Sequence, residues 1–269
     1  MSHGRGTTTA PACEATDAAA GRALTLALTH SDRYLRELVE QWDICPFARR
    51  CRQEGRLWRR VVWAEEASDA APRLDGALDA LEATATPGNP EVALLLCPGL
   101  QDLDAQAFNA VYVAARARYQ ARHANPAFYM VAFHPELRLN ASSPGSLINF
   151  WRRSPHPTLQ LVSVALLARL RQVDRERDPS RIALEMAATG AAPEEIADAL
   201  DALRDHQPVS ERVAQRNGET FSTEGATVFV QTQRSIAAQV AEDRAQSGPW
   251  RGAWPDSDWL PTTTAADER

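Results

Sequence analysis

From Ala23 to Trp42 the apolar residues Leu24, Leu28, Leu35, Leu38, Val39 and Trp42 recur at helical spacing. This pattern predicts an amphipathic helix that delivers the chain to Ile44-Cys45-Pro46-Phe47, where Pro46 ends the helix or opens a new turn. After a second short helical stretch, Leu57–Ala64 mixes Trp, Val and Arg as a strand does, and 69–84 returns to a helical period closed by the Pro-Gly-Asn-Pro run at 87–90. Val92–Cys97 is an unbroken apolar run of strand length. A helical face of Leu103, Phe108, Val111, Tyr112 and Ala115 follows within 102–122, and 128–133 is a second apolar strand that ends at His134.

The order strand, helix, strand, helix, strand predicts an α/β or α+β fold: a single mixed sheet covered by helices on at least one face. A long loop runs from 142 to Pro157. The segment 158–164 then fits either a strand or the entry to a helix at 164–173. Helical patterns at 192–206, 209–217 and 232–246 make the C-terminal half helical, with a Val-Phe-Val run at 228–230 leading into the last of them. The chain reads as a disordered leader over 1–20, one domain over 21–225, and a C-terminal helix and tail over 226–269 that pack on it. Three of the seven Trp lie in that tail, too many for a mere linker.

Composition narrows the chemistry. All 29 cations are arginine, so Schiff-base chemistry on lysine and a P-loop are both ruled out. The net charge of -6 argues against a nucleic-acid partner, and no apolar run is long enough to span a membrane. The start of the chain lacks the features of a secretory signal, so a soluble cytoplasmic protein acting on a small molecule is the expectation, with the oligomeric state left open. The four cysteines form no CxxC pair and no zinc-like cluster with histidine, which predicts free thiols. There is no HExxH, no GxSxG and no Gly-rich phosphate loop.

Three segments remain as candidates. Cys45 precedes a proline at a predicted helix start beside Arg49 and Arg50, a setting that lowers a thiol pKa and suits a nucleophile, redox centre or metal ligand, although free cysteine is equally at home in a core. His134 stands at the carboxyl end of an apolar strand, where open sheets present ligand-binding groups. There it suits an axial heme ligand, a general base, a metal ligand or a strand cap, with Glu136 placed to orient the ring. The third is Asn149-Phe150-Trp151-Arg152-Arg153-Ser154-Pro155-His156-Pro157. Its prolines stiffen it, its paired guanidiniums suit a carboxylate or propionate, and His156 adds a second imidazole.

Taken together, CPFA at 45–48, AFHP at 132–135 and NFWRRSPHP at 149–157 resemble the motifs of a bacterial family known as a domain of unknown function. The resemblance extends over roughly 30–220 and departs from the pattern at Arg152 and Gln160. More remotely the layout is similar to the YqcI/YcgG-like heme enzymes, some of which oxidise nitrogen in biosynthetic pathways. That likeness implies a heme-dependent oxidoreductase, with His134 as the iron ligand, Arg49, Arg152 and Arg153 around the heme, and His156 and Cys45 as catalytic groups. Trp42, Phe47, Phe133, Phe150 and Trp151 adjoin the motifs and are suited to line such a slot. A cofactor-free enzyme using Cys45 and His134, with Arg153 binding an anionic substrate, and a non-catalytic binding protein are the alternatives.

Overall fold

The computed structural model describes residues 10–45, 47–137, 151–176, 179–188, 192–202, 225–247, 250 and 254–262. Helix α1, Ala10–Arg33, continues through a wider π-helical turn, Tyr34–Glu40, into short helix α2, Ala48–Gln53. Strand β1, Leu57–Val61, crosses through α3, Ala67–Thr84, to β2, Val92–Leu96. After a 3-10 turn at Pro98–Leu100 come α4, Ala105–Arg122, and β3, Phe128–Phe133. Strand β4, Thr158–Ser163, leads directly into α5, Val164–Glu176, followed by α6, Pro179–Ala188, α7, Pro193–Ala202, and α8, Gly225–Ser247. A two-residue strand β5, Leu260–Pro261, closes the described chain.

The five strands form one mixed sheet in the order β3-β4-β2-β1-β5, so the fold is α+β as the pattern predicts. Only β1 and β2 are parallel, as their helical crossover requires, and the remaining pairs are antiparallel. Central β2 is buried on both faces. Its Val92, Leu94 and Leu96 join α1, the π turn, Phe229, Ile236 and Trp250 in one core, while Ala93 and Leu95 join α3 and α4 through Leu74, Leu78 and Phe108 in the other. This explains the unbroken apolar run, because a strand covered on both faces has no solvent side to mark.

Two helix starts move toward the N-terminus, and one open segment is decided. The first helix begins at Ala10, so 10–20 are helical rather than a disordered leader, and the partly buried Ala19 and Ala20 pack against the first core. The 1–9 part of that leader lies outside the described residues, as do the expected helix at 209–217 and the loop from 142 to 150. The ambiguous 158–164 is both things in succession, strand and then helix. The Val-Phe-Val run lies in the first turns of α8, which begins at Gly225, ahead of the expected 232, and its Phe229 is buried against Trp42 and Trp151.

Residues 254–262 lie against the sheet and α3. Trp58 and Arg59 of β1 pair with Pro261 and Leu260, so the tail covers the sheet edge that β1 would otherwise present to solvent. Asp256 accepts from the Trp63 amide at 2.8 Å and from Arg73 at 3.0 Å, and Trp254 meets Trp63 edge-on. Among the described residues no helix is long and apolar enough to cross a membrane.

One glycine controls the turn after β2. A side-chain carbon at Gly99 would overlap the Ala64 carbonyl oxygen, a backbone atom that cannot step aside cheaply. Gly99→Ala is therefore expected to destabilise the fold by about 1–3 kcal/mol, read as a lower urea midpoint at unchanged slope. A wild-type midpoint would show that the turn gives way freely.

Candidate functional site

The strand directions decide where polar groups gather. Because β4 runs antiparallel to β2 and β3, the ends of β2 and β3 and the start of β4 meet at one end of the sheet. The Cys97 amide donates to the Pro157 carbonyl at 2.8 Å, and the His134 amide to that of Arg152 at 3.1 Å. These bonds hold the Arg152–Pro157 loop against the exits of both strands. On the other side, the Tyr34 hydroxyl at the start of the π turn donates to the Trp151 carbonyl at 2.7 Å.

His156 is 1% exposed and stands in a chain of side-chain hydrogen bonds. Its Nε2 lies 3.1 Å from Nδ1 of His30, also 1% exposed, in the last turn of α1. The Nε2 of His30 lies 2.8 Å from Oδ2 of Asp243 on α8. At the other end, Nδ1 of His156 is 3.2 Å from Oε1 of Gln101, whose Nε2 donates to the Pro155 carbonyl at 3.3 Å. Gln239 donates to the second Asp243 oxygen at 3.0 Å. The Trp250 indole lies nearly parallel to His30, with centroids 5.9 Å apart, and is held there by its 2.7 Å bond to Ser247. Four segments distant in sequence thus join in one buried polar line.

That line reaches a cleft. Gln101, Arg153, Ser154 and Pro155 share its wall with Tyr34 and Ile236, around a volume of about 70 Å³. Arg153 donates to the Leu137 carbonyl at 2.6 Å. Near the same end Arg244 ion-pairs with Asp102 at 3.5 Å, while its buried Nη1 has no hydrogen-bond partner among the described residues.

Burial sets the titration of this site. It pushes His156 well below the ordinary imidazole value, with the His30 and Arg244 charges adding to the effect. It pushes His30 down as well, against the opposing hydrogen bond and charge of Asp243. His156 is therefore neutral at physiological pH. An imidazole oriented by a second ring and a carboxylate is a group prepared to exchange protons.

The other expected residues are arranged differently. His134 is buried, but its Nε2 donates to the Leu103 carbonyl at 3.0 Å and its Nδ1 accepts from the Glu136 amide at 3.1 Å, so both ring nitrogens are committed to backbone. Glu136 orients the ring through that amide. Burial raises the Cys45 thiol pKa despite helping bonds from the amides of Phe47 and Ala48, a correction to the lowered value expected at a helix start. Here α2 is only six residues long, and desolvation outweighs its dipole. Arg49 is turned to Glu40, donating to its carbonyl at 3.1 Å, rather than to the cleft. Arg152 lies over the Phe133 ring, and burial lowers its pKa.

These residues do not fit a heme in this arrangement. The expected axial nitrogen is already bonded, and Trp42 and Phe47 pack into the first core with Trp151. Among the described residues no group of three or more His, Cys, Asp or Glu is placed to hold a metal ion. His30, Gln101 and Asp243 were not singled out in the sequence.

Because burial depresses His134 and His156, the unfolded chain takes up protons near pH 6.5 that the folded chain refuses. Stability should thus be fully present above about pH 6.5 and fall as the pH drops toward 5, before Glu91 and Asp79 lose their charge. Urea midpoints at pH 7.5 and 5.0 measure this, and His134→Gln should flatten the slope. A midpoint independent of pH across that range would contradict it.

A family model described as "Protein of unknown function (DUF1415)" matches residues 27–184, more than half of the chain. No curated protein and no solved structure matches. The matched stretch contains His30, Gln101 and His156, whereas Asp243 and Trp250 lie beyond it.

Proposed function

We propose, for a chain that belongs to the DUF1415 family of proteins of unknown function, an enzyme that needs no resident cofactor and moves protons on a small anionic molecule. The observation that carries this reading is the buried Asp243–His30–His156 line ending at Gln101 in the cleft wall. A carboxylate that orients one imidazole, which in turn orients a second, is the arrangement by which proteins hold acid–base groups in a fixed orientation. His156 is the group that exchanges a proton with the substrate, and His30 and Asp243 support it. Arg153 in the wall supplies positive charge for a carboxylate or phosphate, a group of few enough atoms for the space present.

Cys45 takes no part in this reading, since a partly buried thiol with a raised pKa is a poor nucleophile. The remote likeness to YqcI/YcgG-like enzymes is what speaks for heme chemistry, and the bonds already made by His134 give that alternative less support.

The test is a binding and turnover screen of the full chain against small carboxylates and phosphate esters, followed by NMR of the reaction mixtures. Arg153→Ala is expected to weaken the bound anion at least tenfold, and His156→Asn to lower turnover by about 10²–10⁴. Failure of any such anion to bind at millimolar concentration would overturn the reading. So would stoichiometric uptake of hemin with a Soret band that His134→Ala abolishes.

A further inference from the structure

Counting hydrogens along the buried line shows that it cannot satisfy every contact with neutral rings and an ionised carboxylate. Gln101 Nε2 donates to the Pro155 carbonyl, so Oε1 faces His156 and must receive a hydrogen from Nδ1. Nε2 of His156 is then a lone pair, and Nδ1 of His30 must donate to it. Between Nε2 of His30 and Asp243 one more hydrogen is still required. With this geometry the line carries a protonated His30 against an ionised Asp243.

Remove that proton and the directions reverse. His30 keeps a hydrogen on Nε2 for Asp243, and its Nδ1 becomes an acceptor. His156 then donates through Nε2 and turns a lone pair on Nδ1 toward Gln101. An amide oxygen facing that lone pair is repulsive. Of the groups in the line, only the Gln101 amide can resolve the clash by turning over, which gives up its bond to Pro155.

We infer that Gln101, which lines the cleft in front of the buried His156, is the positioning residue of this site: its amide, anchored on the Pro155 carbonyl, decides which nitrogen of His156 carries the hydrogen and so whether that ring presents a hydrogen or a lone pair toward Gln101. The inference rests on the acid–base reading only for its chemical use, because the hydrogen count holds whatever the protein does. In the acid state a substrate atom takes the place of the amide oxygen and receives the hydrogen of Nδ1. One hydrogen crosses from Nδ1 of His30 to Nε2 of His156, while His30 keeps the one it shares with Asp243. A single proton leaves, no bond between heavy atoms changes, and the charge of the line goes from zero to minus one.

The groups around the line favour no third arrangement. Asp243 and Gln239 face His30 from α8, with Arg33 on its own helix and Trp250 covering the ring. Arg244, with Asp102 against it, faces His156, and Arg153 is turned to the Leu137 carbonyl. A cation beside His156 opposes placing a second charge there, so the extra proton belongs at the Asp243 end. Burial of His30 puts the exchange on the acid side of neutrality.

Histidine-ring ¹H–¹⁵N spectra of the ¹⁵N-labelled full chain, recorded from pH 8 to 5 and assigned with His30→Asn and His156→Asn, test this. As the pH falls, His156 should pass from the Nε2–H to the Nδ1–H tautomer while staying neutral, at the same midpoint at which His30 becomes doubly protonated. Gln101→Glu can only accept, so it should hold His156 as Nδ1–H and raise that midpoint by about one pH unit or more. Gln101→Leu should lower it. A His156 that becomes an imidazolium, or keeps one tautomer while His30 titrates, would overturn the inference, as would Gln101 variants that leave the midpoint unmoved. Tautomer exchange in a protein that binds no anion would leave the relay standing and remove the enzymatic reading. Turnover with a fixed tautomer would do the reverse.

Discussion

Two imidazoles withdrawn from water within hydrogen-bond reach of each other impose a condition that the rest of the site obeys: every hydrogen must have an acceptor. An unmet polar group in such a place costs about 1–3 kcal/mol, a sizeable part of a domain's net stability. That condition binds α1, the Arg152–Pro157 loop and α8 into one unit, because His30, His156 and Asp243 each come from a different one of them. It also gives the tail a reason to return. Trp250 is buried, lies flat on His30 and is tied to Ser247, so the indole keeps water from a ring whose bonding is already assigned.

The sheet supplies the place. Inserting β4 between β2 and β3 brings the loop before β4 to the carboxyl ends of its neighbours, where strands hand their chain to turns and ligand sites tend to form. The close approach of the 98–100 turn to Ala64, which only a glycine permits, sets Gln101 against Pro155. The opposite end of β2 has a different character. There the fully buried Glu91 gathers Arg50 and Arg56 at 2.9 Å each, together with Arg169 and the Cys51 thiol. Every charge at that end has a fixed partner, and burial with the Glu91 bond pushes the Cys51 thiol up to about 12. One end of the sheet is built of charges that stay put and the other of a proton that has two positions.

Much of the fold was legible because periodicity reports burial. Leu57, Val92 and Phe128 begin strands where the apolar runs begin, and α3, α4 and α8 follow their apolar stripes. The start of α8 was less legible, because the Val-Phe-Val run has no helical period of its own although it fits a helix whose Phe229 faces a core. His156 was legible from its rigid loop. His30 and Asp243 had a signal that went unread: each interrupts an apolar stripe, His30 after Ala23 and Ala27, Asp243 after Phe229, Ile236 and Val240. A titratable residue in register with a buried face needs a partner, and each is the other's. Gln101 offered nothing, since its role depends on Pro155 and His156, which only the antiparallel β4 brings near. At Cys45 a sequence displays the helix start and the arginines but not the desolvation that raises the thiol pKa.

His134 and His156 illustrate why a histidine near a strand end is not enough to mark a working group. Both are buried, and both have two partners for two ring nitrogens. The partners of His134 are a backbone carbonyl and a backbone amide, whose roles as acceptor and donor cannot be exchanged, so its tautomer is fixed by covalent structure. The partners of His156 are a second imidazole and a side-chain amide, each of which can present either a hydrogen or a lone pair. A ring held by backbone is a strut, and adding a proton to it breaks a bond. A ring held by groups that can reverse their direction keeps its bonds while the proton moves, and that separates a structural histidine from one suited to chemistry.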